Sequence, residues 1–301
     1  MRRIIERHTS YLGSGEPVNP ETDTIPKYPT NISTLLGTRP SDGEAPHAGL
    51  LIINADDWGR DRETTDRILD CVARRTVSSV SAMVFMEDSE RAAATAQESG
   101  IDAGLHLNFT APFSARGCQA RLTEHQRHIT SYLLRHPLAR VIFHPALVRS
   151  FEYVVAAQLD EFHRLYGADP GRIDGHHHLH LCANVLSQRL LPVGVLVRRN
   201  FSFQPGERSL VNRLYRKAVD RKLARRHRLV DFLFSLAPLA AQGRLERILS
   251  LARQFVVEVE THPICPDEYS FLLGDEILRL TANIRVAPPS AMSRCRTTTP
   301  E

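Results

Sequence analysis

Four consecutive large apolar residues, Leu50-Leu51-Ile52-Ile53, run directly into Asn54-Ala55-Asp56-Asp57-Trp58-Gly59, and this junction limits the fold more than any other stretch of the chain. A short continuous apolar run that ends in polar residues suits a strand covered on both faces, as in parallel sheets with crossover helices. The downstream pattern repeats the theme. It predicts a helix near 61–74, a strand near 80–85, a helix near 88–98 and a strand over 103–109. A less regular stretch, 111–145, reads as a long loop with a short helix. Then come a helix near 146–166, a strand over 172–181, a short helix near 184–190 and a strand around 193–197. A basic helix near 208–226, a helix near 242–253 and a strand over 255–259 complete the pattern. Strands alternating with helices imply right-handed crossovers and an α/β fold with a mainly parallel sheet, open or closed into a barrel.

Residues 1–47 are rich in Pro, Gly, Ser and Thr without a sustained apolar period, and read as a partly disordered extension. One domain is expected over 48–290, followed by a tail at 291–301. With 301 residues, 42% of them hydrophobic, the chain can bury one large core. A formal net charge of +4 gives no global field that would predict nucleic-acid binding. The five cysteines are odd in number and scattered, which argues against a disulfide framework or a thiolate zinc knuckle. With no signal peptide and no apolar run of membrane-spanning length, a cytoplasmic location is expected.

Four polar clusters carry the chemistry. Asp56 and Asp57 end an apolar strand, at the rim where parallel α/β folds place ligands and catalysis, although an Asp helix cap closed by Gly59 explains the pair equally well. In Gly104-Leu105-His106-Leu107-Asn108, alternation puts His106 and Asn108 on the face opposite the two leucines. Asp174-Gly175-His176-His177-His178-Leu179-His180 holds four imidazoles in five residues, and at period two Asp174, His176, His178 and His180 would share a face. Neutral imidazole is a common ligand of transition metals, so this cluster points to metal binding without naming a reaction. In Glu258-Val259-Glu260-Thr261-His262-Pro263, polar residues again follow an apolar strand, and on a shared rim His262 could donate a proton to a leaving group.

Taken in order, these four motifs resemble the YdjC-like carbohydrate deacetylases, a family that includes chitooligosaccharide deacetylases and a hopanoid-associated branch; the likeness covers about 49–287. It implies a distorted, TIM-like (β/α) barrel that removes the N-acetyl group from an amino sugar using one divalent metal ion, magnesium or zinc. By the same likeness Asp57, His106 and His176 bind the metal, Asp56 is the general base and His262 the general acid. Trp58, Asn108, His178, His180, Arg198 and Glu258 are expected to line the substrate pocket. The sequence departs from the family pattern at Trp58, where Phe is usual, at Ile264, where a small residue is frequent, and in its N-terminal extension.

Two other readings fit part of the pattern. A metal-dependent phosphoesterase or amidohydrolase barrel also gathers His and Asp at strand ends, but its His-x-His typically opens the first strand. A non-catalytic metal- or nucleic-acid-binding module would need neither Asp56 nor His262. The basic stretch 208–228 reads first as a solvated helix face. Its alternative is an anionic partner: a membrane surface, a nucleic acid or a phosphate-bearing substrate. No nucleic-acid partner is expected, and a homodimer is compatible with the sequence.

Overall fold

Seven parallel strands form one sheet in the order β5-β4-β3-β2-β1-β7-β6. They are β1 (Leu50–Trp58), β2 (Ser79–Ala82), β3 (Ala103–Leu107), β4 (Arg172–Gly175), β5 (Leu196–Val197), β6 (Phe232–Ser235) and β7 (Val256–Thr261). Sequence order therefore runs around the sheet with one break, between β5 and β6. A parallel bridge from Leu196 to Arg228, just before β6, narrows that break. The result is a distorted (β/α) barrel with one incomplete seam. The computed structural model describes residues 49–203, 207–239 and 243–294, so the extension expected at 1–47 lies outside the described residues. The tail expected from 291 begins inside a 3-10 turn, Pro289–Arg294, and leaves the described residues at 295.

Helices cover the outside: α1 (Arg62–Ala73), α2 (Ser89–Ser99), α3 (Ala120–Arg135), α4 (Val148–Tyr166), α5 (Ala183–Gln188), α6 (Leu210–Ala224), α7 (Arg244–Ala252), α8 (Pro266–Leu273) and α9 (Asp275–Thr281). In α1, Asp61 caps the N-terminus by accepting from the Thr64 amide at 2.8 Å, and Thr64, Thr65, Ile68 and Cys71 recur at helical spacing on the buried face. Burying a side chain such as Ile68 contributes roughly 1.5–3 kcal/mol. Among the described residues no helix is long and apolar enough to cross a membrane.

Strand alternation sorts the sheet into two unlike faces. Leu51, Ile53, Ala55, Val80, Leu105, Leu107, Ile173, Val197, Val257 and Val259 join the main apolar core under the helices. The other face is apolar only near the strand starts, where Leu50, Ile52, Leu196 and Val230 cluster with Ala287 and Met292 from the C-terminal segment. That segment also pairs with the base of β1: Leu51 N–H donates to Arg285 O at 2.9 Å and Ala287 N–H to Leu51 O at 3.1 Å. Above this plug, the inner face is polar and charged.

The structure corrects several expectations. The strand expected over 172–181 stops at Gly175, and a 3-10 segment, His176–Leu181, follows with His177 and His178 in left-handed backbone conformation. The stretch 111–145, expected to be a long loop with a short helix, contains the 16-residue helix α3, whose Leu122, Gln126, Ile129 and Leu133 form a narrow buried stripe in an otherwise polar sequence. Strand β5 has only two residues, and β6, α8 and α9 were not anticipated.

The close approach that starts the barrel is testable at Gly49, where an added Cβ would overlap Ala252 O and the backbone of Arg253 and Gln254. None of these backbone atoms can rotate away. Gly49→Ala should cost about 1–3 kcal/mol, read as a lower urea midpoint. An unchanged midpoint would mean that 252–254 yields without cost.

Candidate active site

Because all seven strands are parallel, the polar residues near their C-terminal ends meet at one rim. β1 supplies Asp56 and Asp57, β3 supplies His106, and the turn after β4 supplies His176. His106 Nε2 lies 3.4 Å and His176 Nδ1 3.0 Å from Asp57 Oδ1. The three donor atoms fall within 4.8 Å of one another, a grouping that could hold a metal ion. Asp57 reaches it from a left-handed backbone position (φ 69°), a conformation that costs a non-glycine residue energy and is found where geometry outweighs local comfort.

Two other acidic groupings share the rim, Asp56 with Glu260 and His262, and Asp56 with His106 and Asp174. The donor chemistry separates them from the first. Both oxygens of Asp56 already accept from Arg198, Oδ2 from Nη1 at 2.7 Å and Oδ1 from Nη2 at 2.8 Å. Asp57 has no such internal guanidinium; its Oδ2 pairs with the half-exposed Arg60 at 3.1 Å and its Oδ1 faces the two imidazoles. His106 Nδ1 is 2.7 Å from Asp174 Oδ1, and with the proton on Nδ1 the Nε2 lone pair points at Asp57. A carboxylate behind a histidine in this way is the usual support for a metal-binding imidazole.

Electrostatics agree with that fit. Burial disfavours a charged His106 ring, but Asp56, Asp174 and Asp57 outweigh it and push its pKa up to about 10. Asp57 is held well below the usual carboxylate range, because the neighbouring His176 and His106 outweigh its burial. This corner of the barrel therefore favours a positive charge. The donors present suit a divalent cation.

Around this centre lies a buried ion network. Arg198 is almost wholly inaccessible and reaches four carboxylates: Asp56, Asp174 at 3.1 Å, Glu258 at 2.8 Å and Glu260 at 3.1 Å. Arg172 lies 3.4 Å from Asp174 and donates to Asn54 Oδ1 at 2.6 Å and Val80 O at 2.7 Å. Its guanidinium fits because residue 104 is glycine; a Cβ there would lie 2.8 Å from Arg172 Nε. His262 stands at the open edge, 3.9 Å from both Asp56 Oδ2 and Glu260 Oε1, and its backbone N–H donates to Glu268 Oε2 at 2.8 Å. Burial opposes its protonation, yet Glu260, Asp56 and Glu268 raise its pKa.

The profile of the YdjC-like protein family matches residues 50–285. The chain belongs to that family. A carbohydrate deacetylase of Mus musculus is 30% identical over 172 residues, 53% of this chain and 52% of that protein. A chitooligosaccharide deacetylase of Yersinia pestis (strain Pestoides F) is 30% identical over 139 residues, 45% of this chain and 52% of that one. The chain spans about half the length of these curated relatives. A solved structure from Enterococcus faecalis V583, a protein named for cellobiose-phosphate cleavage, shares the fold with a TM-score of 0.56 at 20% identity. That match covers 81% of this chain and 99% of the other.

Within the YdjC-like barrel, five of the residues expected to line the substrate pocket, Trp58, Asn108, His180, Arg198 and Glu258, are buried. Trp58 packs in the apolar core. Asn108 Oδ1 accepts from the Thr110 and Ala111 amides and so closes the turn after β3. His180 Nε2 donates to Arg198 O at 2.9 Å, and Glu258 accepts from Arg198 Nε. Only His178 of the expected set keeps an open edge, with its Nε2 3.0 Å from Glu260 Oε2 and its ring against Phe201. Arg172 and Glu260 were missed. Period-two spacing could have found both, since Arg172 precedes Asp174 by two residues and Glu260 precedes His262 by two.

Two outcomes test the site. Asp57→Asn, His106→Ala and His176→Ala should each lose the metal on dialysis, while Asp174→Asn should weaken affinity about 10–100-fold. Metal analysis by mass spectrometry reads both, and full occupancy in the three ligand variants would dismiss this centre. The second outcome concerns His180, which burial, the neighbouring His178 and Arg198 hold down from 6.5 to about 3. Its folded value lies below its unfolded one, so its stabilising effect is complete above pH 6.5 and fades as pH falls towards 3. The carboxylates held low, Asp174 and Glu260, act only below their unfolded values of 3.8 and 4.5. His106, His262 and Glu258, held above their ordinary values, act in the opposite direction, so the comparison isolates His180: between pH 6.5 and 5 the urea midpoint of chelator-treated wild type should lose more, or gain less, than that of His180→Asn. Equal slopes would remove His180 as the cause.

Proposed function

We propose that this YdjC-like chain is a metal-dependent hydrolase that removes the N-acetyl group from an amino sugar of the chitooligosaccharide or glycan-linked N-acetylglucosamine class. The observation that carries the reading is the convergence of the Asp57, His106 and His176 donors with a tethered carboxylate, Asp56, and a partly exposed imidazole, His262, at one rim. The names of its mouse and Yersinia relatives support the substrate class.

A divalent ion of the zinc or magnesium type, held by Asp57 Oδ1, His106 Nε2 and His176 Nδ1, would supply Lewis acidity to water and to the acyl oxygen. Every other step belongs to side chains. Asp56 accepts the proton of the attacking water; Arg198 and Asn54, whose Nδ2 donates to Asp56 Oδ1 at 2.8 Å, fix the direction of its oxygens. The water oxygen bonds to the amide carbon, and the resulting tetrahedral adduct collapses with cleavage of the C–N bond. His262 gives its proton to the departing nitrogen, which would otherwise leave as a strongly basic amide anion. Acetate and the free amino sugar are the products. The carboxylates of Glu260 and Asp56 favour protonated His262, as the acid role requires.

Asp56→Asn keeps the shape of the side chain but removes its basicity. Acetate release from N-acetylglucosamine oligomers should fall about 10²–10⁴-fold while the metal content is retained. Wild-type rates in the metal-loaded variant would eliminate Asp56 as the base.

A further inference from the structure

Helix α6 carries an outer face that the barrel does not use. Its Val219, Asp220 and Leu223 are buried against the domain. Away from that face, Leu210, Val211 and Leu214 are 66%, 78% and 58% exposed, and Tyr215 at its edge is 43% exposed. At helical spacing, Leu210 and Leu214 continue along the same stripe into Arg221 and Arg225, with Lys222 alongside. One side of a single helix is thus apolar in its first two turns and cationic in its last two. Over 208–228 the sequence holds nine Arg and Lys against one acid, Asp220, which is engaged by Arg199 at 2.9 Å.

A second feature lies beside the cationic end. Between α5 and α6 is a cleft of about 290 Å³ with an apolar floor of Val185, Leu186, Leu191 and Leu223 and a rim of Arg189, Lys222, Arg225 and Arg226. Among the described residues these four cations have no carboxylate partner, and the lining contains no acid. An apolar floor beneath unneutralised cations matches a ligand with an anionic head and a hydrocarbon body. An exposed apolar half-helix followed by a basic half matches the boundary between acyl chains and anionic headgroups. A protein partner with an apolar groove would satisfy the first half of α6 but leave the cationic cleft without counter-charge.

We propose that α6 docks the protein on an anionic membrane surface, with Leu210, Val211, Leu214 and Tyr215 entering the headgroup boundary and the Arg189, Lys222, Arg225 and Arg226 cleft holding a lipid phosphate. The helix is tied to the catalytic rim through the start of the connecting segment. Arg198 directly follows β5 inside the ion network, Phe201 packs on His178 at 4.5 Å between ring centres, and Phe203 lies under Arg208 and Arg216 before α6 begins.

The test is flotation of the full chain with phosphatidylcholine vesicles that contain or lack phosphatidylglycerol. Binding is expected only to the anionic vesicles and should weaken with salt. Lys222→Glu with Arg225→Glu should reduce partitioning by about tenfold or more, because the reversed charges are repelled by the surface that attracted the originals. Leu210→Ser with Leu214→Ser reports the apolar half independently, and unchanged thermal unfolding of either pair verifies its fold. Three results would overturn the proposal: no binding to anionic vesicles, binding that neither pair weakens, or a dimer in light scattering that Leu210→Ser with Leu214→Ser dissociates. The last would mean that a second copy covers this face.

Discussion

One buried guanidinium organises the barrel. Arg198 sits where a hydrophobic side chain would ordinarily fill the inner layer, and it holds Asp56, Asp174, Glu258 and Glu260 around it. Removing so many charges from water is costly, and internal attraction offsets the cost only where geometry and hydrogen bonding are good. Five inner carboxylates, counting Asp57, face two guanidiniums, those of Arg172 and Arg198. The protein answers the imbalance in two ways. Burial raises the pKa of Glu258 despite the adjacent Arg198. At the rim the surplus falls on imidazoles, which is why His106 is pushed up to about 10. The same imbalance that would destabilise an empty barrel makes one end of it receptive to a cation.

Backbone geometry then decides which groups receive that surplus. A regular strand through 174–180 would have sent alternate histidines to the same side. Instead Gly175 ends β4, and left-handed residues at His177 and His178 turn the chain over. His176 consequently meets Asp57, His178 meets Glu260, and His180 folds back under the turn to bond Arg198 O. A side chain at 175 would crowd His180, whose Cβ, Nδ1 and backbone N all stand 3.1 Å from the place of a Cβ there. Three similar residues thereby acquire three different places: a candidate ligand, a partner of Glu260 and a buried support.

Much of this was legible in the chain. Parallel strands could be placed because continuous apolar runs and amphipathic stretches alternate, and parallel strands bring their polar ends together without further information. Hence Asp56, Asp57, His106, His176 and His262 could be expected at one rim. What was not legible depended on contacts distant in sequence. Nothing local distinguishes an Arg198 that lines a pocket from one that is sealed beneath it. Trp58 and Asn108 look like rim residues because they flank rim residues, yet they belong to the core and to a turn. The 3-10 segment was hidden for a related reason: the preference for a left-handed turn came from packing at Gly175 and His180, not from the propensities of the histidines.

Glu260 shows how network and chemistry meet. It lies on β7 two residues before His262 and opposite Asn54 of β1, so register puts it between the two proposed proton-transfer groups. It holds Arg198 on one side and His178 on the other, and stands as close to His262 as Asp56 does. Its charge is kept by His178 and Arg198 against burial, with its pKa driven below the usual carboxylate range. An ionised Glu260 favours the protonated form of His262 and helps fix Arg198 Nη1, which also donates to Asp56 Oδ2. The proposed acid and base are therefore not independent additions to a barrel. They are two ends of one charge arrangement, in which the carboxylate between them does not react and sets the terms on which its neighbours do.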